Sequence, residues 1–383
     1  MADKSKQLLM HLLRTSVFTG LFLLSSLYVL HGQPIDVLPL EQTNDSYSFP
    51  VLTGRDTKNR VCEKMNTYLQ VHYLSQVPGT YVSDDPYHFV KNGFRCGQTV
   101  FQEFSASHLN SRVLEMELSI EQSYCTGMGL DWITKVDYFD VVRGEKIELA
   151  DLFSEGGFRS LKTETIHEMR SQLQGYIDEI KEEMRGAELD EQDRQFLLDQ
   201  SDLYQDCLKY TEISEFESYQ YKIAKRSITF RRNNCYWNET GRSLDEKPVP
   251  SVQFSLESLE PLLSAYGNEL LVAGGAALSN PSLNNKILKG YIGGKYPIKA
   301  IIKQSGQQPK IIYWYEKVKQ PLIWSGKQVA GKYHLQEKIY SDDESEDIAE
   351  VVLTFNKNER WTAQGTWKEL STGKLLSIDL EEY

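Results

Sequence analysis

Between Val113 and Ile120 apolar and polar residues alternate, with Leu114, Met116, Leu118 and Ile120 set against Val113, Glu115, Glu117 and Ser119. A period of two predicts a strand with one wet face. Strands near 97–106 and 131–140 flank it, and Tyr47 to Leu52 reads as a shorter strand interrupted by Pro50. Elsewhere the period lengthens. Val61, Met65, Tyr68 and Leu69 recur at helical spacing and predict a helix from Thr57 to Leu74. From Phe158 onward, Leu161, Thr165, Ile166, Met169 and Leu173 form one stripe, continued by Tyr176 and Ile180 up to Gly186. A second helix is predicted over Asp190–Lys209, then a strand hairpin at 217–231. Val252–Phe254 reads as a strand, and Ser255 as the cap of a helix reaching Tyr266.

Beyond residue 285 helical periodicity stops. Short alternating runs near 286–291, 296–303, 309–317, 321–325, 331–340, 347–356, 360–368 and 374–380 are separated by turn residues. Such spacing predicts an antiparallel meander that curls into a barrel or a sandwich. Residues 269–285, rich in Gly, Ala, Ser and Asn, read as a linker. The expected fold is therefore α+β: a curved antiparallel sheet with packed helices over 45–268, followed by an all-β domain over 286–383.

The N-terminus has a different character. Lys4, Lys6 and Arg14 precede an apolar run from Val17 to Leu30, and cleavage before Gln33 would follow Gly32. That is the layout of a signal peptide over 1–32, with a mobile leader over 33–44. Leu30 is larger than the usual residue at its position, which leaves an uncleaved anchor as the alternative. No later stretch has 18 apolar residues in a row. The expected location is periplasmic, secreted or cell-surface, with membrane contact only through the N-terminal segment if it stays.

An oxidising compartment makes disulfides the default for the five cysteines. Hairpin geometry suggests Cys96 with Cys125 and Cys207 with Cys235. Cys62 is then left over, as a buried helix residue or an intermolecular bridge. Spacing alone does not fix the connectivity. The net charge of −12 disfavours nucleic acid as a partner.

Catalytic signatures are weak. Ser371-Thr372-Gly373-Lys374 has the S-x-x-K spacing but lies between two predicted strands, where a hairpin turn is the better reading. Asp84, Asp85 and His88, and the acidic run Asp342 to Asp347, read as solvated loops rather than metal sites. No cofactor is implied. Aromatic residues in the last domain are the more suggestive feature. Tyr313, Tyr315, Trp324 and Trp361 are the candidate ligand-binding residues, because exposed rings stack on sugars or anchor protein contacts. The competing reading is that they fill a barrel core.

Further residues carry a resemblance. Phe49-Pro50 stands before Gly54 and the first helix, Phe139-Asp140 before Gly144, and then comes Ile147-Glu148-Leu149-Ala150-Asp151-Leu152-Phe153. Ile228-Thr229-Phe230 and Val252-Gln253-Phe254-Ser255-Leu256 close the pattern. Residues 45–268 thus resemble a bacterial extracytoplasmic domain found in the ectodomain of a lysozyme-sensing anti-sigma factor and beside polysaccharide deacetylases. Thr126-Gly127-Met128-Gly129 stands where that family often has a His. The tail resembles a β module of bacterial envelope proteins, through Lys289-Gly290-Tyr291-Ile292-Gly293, Tyr296-Pro297-Ile298, Tyr313-Trp314-Tyr315, Ser325-Gly326, Leu335-Gln336-Glu337 and Gly365-Thr366-Trp367. The resemblance implies an envelope setting and no particular reaction. The expectation is an exported, non-enzymatic protein that binds an extracytoplasmic protein. The alternative is a cell-wall glycan accessory, with weak hydrolase activity as its enzymatic variant.

Overall fold

The computed structural model describes residues 35–40, 46–54, 58–79, 87, 99–123, 130–186, 189–235, 239–275, 277–305, 308–341 and 344–383. The signal segment, most of the leader, Cys96, Cys125, the Asp84–His88 cluster and the Thr126–Gly129 loop lie outside these residues, as do Asp342 and Asp343.

The small ribbon of β1 (Asp36–Pro39) and β2 (Pro50–Thr53) precedes helix α1 (Lys58–Leu69). The Asn66 side chain of α1 bonds both the N–H and the C=O of Leu52, 2.8 Å each, like an extra strand partner. Strands β3 (Thr99–His108), β4 (Val113–Ser123), β5 (Leu130–Asp140) and β6 (Glu145–Ile147) follow as an antiparallel sheet in that order. The alternation in β4 serves two cores. Leu114, Met116, Leu118 and Ile120 face α1 with Met65, Tyr68 and Leu69. Val113 lies on the other side, with Tyr138, Ile147, Leu161 and Met169.

Helix α2 (Glu155–Gly186) buries the predicted stripe from Leu161 to Ile180, except that Tyr176 is half-buried and Ile177 takes the core position. Its first half covers the sheet. Its second half packs on α3 (Glu191–Lys209), whose first turn is capped by Asp190 accepting from the Asp193 amide at 2.8 Å. Strands β7 (Gln220–Ile223), β8 (Ser227–Arg231) and β9 (Ser251–Ser255) form a second antiparallel sheet, with the short helix α4 (Glu239–Leu244) between the last two. Cys207 and Cys235 are disulfide-bonded across a Cα separation of 5.3 Å. Cys62 is buried on α1.

The helix predicted from Ser255 to Tyr266 is broken. It divides into α5 (Leu256–Leu259), a 3-10 turn at Glu260–Leu262 holding Pro261, and α6 (Ala265–Asn268) capped afresh by Ser264. Proline has no N–H to continue the ladder, and Leu263 takes an extended backbone after it. The segment read as a linker is a strap pinned to the first unit. Leu270 is fully buried, and Asn280, 2% exposed, donates to Asp151 at 2.7 Å.

The last eight strands close a barrel: β10 (Ile287–Ile292), β11 (Tyr296–Ser305), β12 (Gln308–Tyr315), β13 (Leu322–Val329), β14 (Lys332–Ser341), β15 (Glu344–Lys357), β16 (Trp361–Glu369) and β17 (Leu375–Glu382). Closure comes from β17 pairing antiparallel with β10, Leu380 opposite Gly290. Gly290, Gly326 and Gly365 point inward, and a Cβ on any of them would meet the neighbouring strand's carbonyl oxygen at 1.9, 2.1 and 1.8 Å. The missing side chains let strands coil tightly at the barrel corners.

The two units share a core. Ile287, Ile301 and Trp314, on the outside of the barrel, belong to the same apolar cluster as α1 and the inner face of β4. Around it lies a polar seam. Lys286, 3% exposed, bridges Glu145 at 2.7 Å and Glu382 at 3.1 Å. Lys303 donates to Tyr68 at 2.6 Å and to Asn285 at 2.9 Å, and Lys299 pairs with Glu63 at 2.9 Å. No described helix is long and apolar enough to cross a membrane.

Candidate functional site

Along this seam a cleft of about 300 Å³ opens between the two units. Arg60 and Lys64 stand one turn apart on α1, so they share a face. Val142 and Arg143 come from the turn between β5 and β6. That turn lies against α1 because residue 144 is glycine: its φ is +69°, and a Cβ there would sit 2.6 Å from the Val61 carbonyl oxygen. The strap supplies Ser279 and Asn280, the β15–β16 hairpin Lys357, Glu359, Arg360 and Trp361, and the end of the barrel Glu382 and Tyr383.

The cleft is rich in cations, five basic residues against three acidic ones, in a chain of net charge −12. Lys64 makes no ion pair or hydrogen bond among the described residues. Burial pushes its ammonium below the ordinary value despite Glu145 and Glu382 nearby. Burial likewise lowers Lys357, helped by the charge on Lys286. Glu145 is pushed up by burial, which outweighs Lys286. For Glu382 burial is outweighed, because Lys286 and the Trp361 amide, 3.0 Å away, together hold it down. Two rings are already capped by cations: Arg60 sits 4.7 Å over Tyr383, and Lys357 sits 5.4 Å from the centre of Trp361.

Three polar atoms buried in the walls of the cleft lack a hydrogen-bond partner among the described residues: Arg143 Nε, Glu145 Oε2 and Trp361 Nε1. Two of them are donors. Arg143 spends another nitrogen on the Ala277 carbonyl at 3.0 Å, which fixes its guanidinium in the strap. Buried donors are nearly always paired, and an orphan costs roughly 1–3 kcal/mol. The surplus of positive charge, not these shielded atoms, suits the cleft to an anionic group. A larger groove of about 830 Å³ runs beside β5, β7 and β8, but its Lys222 is already drawn to Glu115 and Glu117.

No protein-family model matches this chain, and no curated protein does.

The four aromatic candidates divide between places. Tyr313 and Trp324 do not form an exposed face: both are 0% exposed, inside the barrel, stacked with ring centres 4.1 Å apart. Strand parity decides it, since Tyr313 and Tyr315 turn inward while Trp314 joins the shared core. Tyr315 is half-buried near that stack. Beneath them the buried Glu337 accepts from the indoles of Trp324 at 3.1 Å and Trp367 at 2.8 Å. Trp361 alone reaches the cleft. Ser371–Lys374 forms the β16–β17 turn, with Gly373 at φ +71°. Among the described residues no cluster of His, Cys, Asp or Glu could hold a metal ion.

The cationic residues of the cleft had no sequence signal. They come from segments up to 300 positions apart, and each is an ordinary surface residue in isolation. Only Lys357–Trp361, a charged run ending in Trp, stands out locally.

Proposed function

We propose that this chain is an exported, non-enzymatic recognition protein of the bacterial envelope that takes a macromolecular partner at the junction cleft. The observation that carries this reading is the surplus of positive side chains, Arg60, Lys64, Arg143, Lys357 and Arg360 against three carboxylates, in a cleft that both units build. Domain junctions are a preferred place for binding sites. The Cys207–Cys235 disulfide supports an oxidising compartment, and the N-terminal Lys/Arg-flanked apolar run supports export. The resemblance to envelope domains points the same way. A cell-wall glycan fits the positive cleft better than a basic protein does, because like charges repel at the seat itself.

The test is retention of the full chain on purified peptidoglycan and on immobilised lysozyme at low and high salt. Each is repeated with Ser279→Trp, which fills the cleft from the strap. Retention on either that drops with Ser279→Trp supports the reading. Retention that ignores the substitution, or none at all, removes the junction as the seat.

A further inference from the structure

We infer that β5 offers its free edge, in the groove it shares with β7, to an extended acidic peptide that adds to the sheet as a further strand. The groove shares no lining residue with the junction cleft, and the inference does not rest on that cleft.

The ladder decides which backbone groups are open. The Val141 amide donates to the Arg112 carbonyl at 2.9 Å, so residues 112 and 141 are a hydrogen-bonded pair of the β4–β5 ladder. Such pairs alternate along an antiparallel ladder, and the register runs without a shift down to Leu130. Ile133, Lys135 and Asp137 therefore bond to β4, while Thr134, Val136 and Tyr138 turn their backbone N–H and C=O to the other side. Strand β6 meets that side only as far as Tyr138, opposite Ile147, and the chain then leaves in the 3-10 turn Leu149–Leu152. Among the described residues nothing bonds the outward backbone groups of Thr134 and Val136. An open, unbulged edge is a template for another strand.

Strand β7 ends the second sheet in the same way. The Ala224 amide donates to the Ser227 carbonyl at 2.8 Å, which sets Lys222 and Gln220 to bond β8 and turns Tyr221 and Ile223 outward. The Ile223 amide confirms the direction by donating to the Tyr138 hydroxyl at 2.8 Å. Ile133 to Val136 and Ser218 to Lys222 line the groove of about 830 Å³ without a gap. Side chains of both parities line it, so each strand presents an edge rather than one face. The occupant's chemistry follows from that lining. A strand added to β5 alternates its side chains between two faces. On the groove face it meets Val136 and Tyr221, both half-buried, which suit apolar residues. On the other face Lys135 is exposed and without an ion pair among the described residues, as is Arg231 on the opposite wall. Glu117, the lining carboxylate, is already paired with Lys222 at 3.5 Å. Opposite charges on neighbouring strands attract, so an acidic residue belongs beside Lys135. The occupant is an extended segment that alternates apolar and acidic residues.

Amide exchange of the full chain, read residue by residue by NMR, tests this with a blocked heptapeptide of alternating valine and glutamate and its counterpart carrying lysine for glutamate. In the free chain the amides of Thr134 and Val136 should exchange faster than those of Ile133 and Lys135. The glutamate peptide should slow both. Its affinity, read by fluorescence anisotropy, should fall about tenfold with Lys135→Glu and stay unchanged with Ser279→Trp. Thr134→Pro removes an outward N–H and no bond to β4, so it should abolish binding while circular dichroism shows the fold kept. Should that variant unfold, the exposed Lys135→Glu carries the test. Thr134 and Val136 amides as protected as their neighbours in the free chain would show the edge already covered and overturn the inference. So would failure of both peptides to bind, or binding that survives Thr134→Pro and slows neither amide. Equal affinity for the lysine peptide would overturn the acidic partner.

Discussion

Arg112 shows how much one side chain can decide. It is 2% exposed and bonds Asp140 at 2.8 and 3.1 Å, Glu269 at 2.6 Å, and the carbonyls of Gly275 and Leu278 at 2.6 and 2.7 Å. One guanidinium thereby ties the β3–β4 turn, the end of β5 and the strap together. Its planar fork matches these acceptors in a way a lysine does not. Replacing it with methionine leaves Asp140, 0% exposed, as a buried unpaired charge. Arg112→Met should lower unfolding free energy by about 3–5 kcal/mol in urea titrations, and Arg112→Lys should recover only part of that. An unchanged midpoint would show that water fills the role. Nothing in Asn110-Ser111-Arg112 announces this residue. Its partners lie up to 166 positions away, and burial of a charged residue is decided by the fold rather than by its neighbours in sequence. The aromatic candidates were legible to the opposite degree: Tyr313 and Trp324 stood out by type, but only strand parity plus barrel closure determines that they face inward.

At the level of elements the periodicities translated well, because each stripe needs only its own neighbourhood. The period-two run of β4 buries Leu114, Met116, Leu118 and Ile120 as read, but the face read as wet carries Val113 and Glu115, both buried by a second core, and in the stripe of α2 Ile177 rather than Tyr176 is the buried residue. The break at Pro261 was harder to see, since apolar residues on both sides continue the helical spacing while the proline interrupts the hydrogen bonds beneath it. The α2–α3 hairpin is also held by a covalent tie. The Cys207–Cys235 bridge closes a loop of 28 residues between the end of α3 and the segment after β8. Replacing both cysteines with serine should cost about 2–4 kcal/mol and should raise amide exchange in the last turns of α3 more than in the barrel. Uniform loss of protection throughout the chain would indicate that the hairpin and the barrel unfold as one unit.

For the whole molecule the decisive features are closure and docking, and neither is written locally. The strand pattern limited the last unit to a barrel or a sandwich. The choice depended on whether β17 reaches β10, which the three inward glycines make possible. Docking buries a set of charges along the seam. Burial, with Lys146 beside it, pushes Lys303 from the ordinary 10.5 down to about 7. A base with a depressed folded pKa contributes stability that is fully present above 10.5 and is lost as the pH falls through about 7. Stability toward urea should therefore rise by about 1–2 kcal/mol between about pH 7 and pH 9. Lys303→Gln should flatten that rise, although Lys64 and Lys357 shift in the same direction and will keep part of it. An identical slope in the variant would place the titration elsewhere. Closure also brings the two ends of the barrel together, the Tyr383 amide donating to the Ile287 carbonyl at 2.8 Å, with the Tyr383 ring on the rim of the cleft. Any purification tag or fusion partner joined after Tyr383 would leave the chain across the mouth of that cleft. A tag there would act as a competitor, and the same adjacency makes the barrel a natural candidate for circular permutation, with new ends opened on the far side.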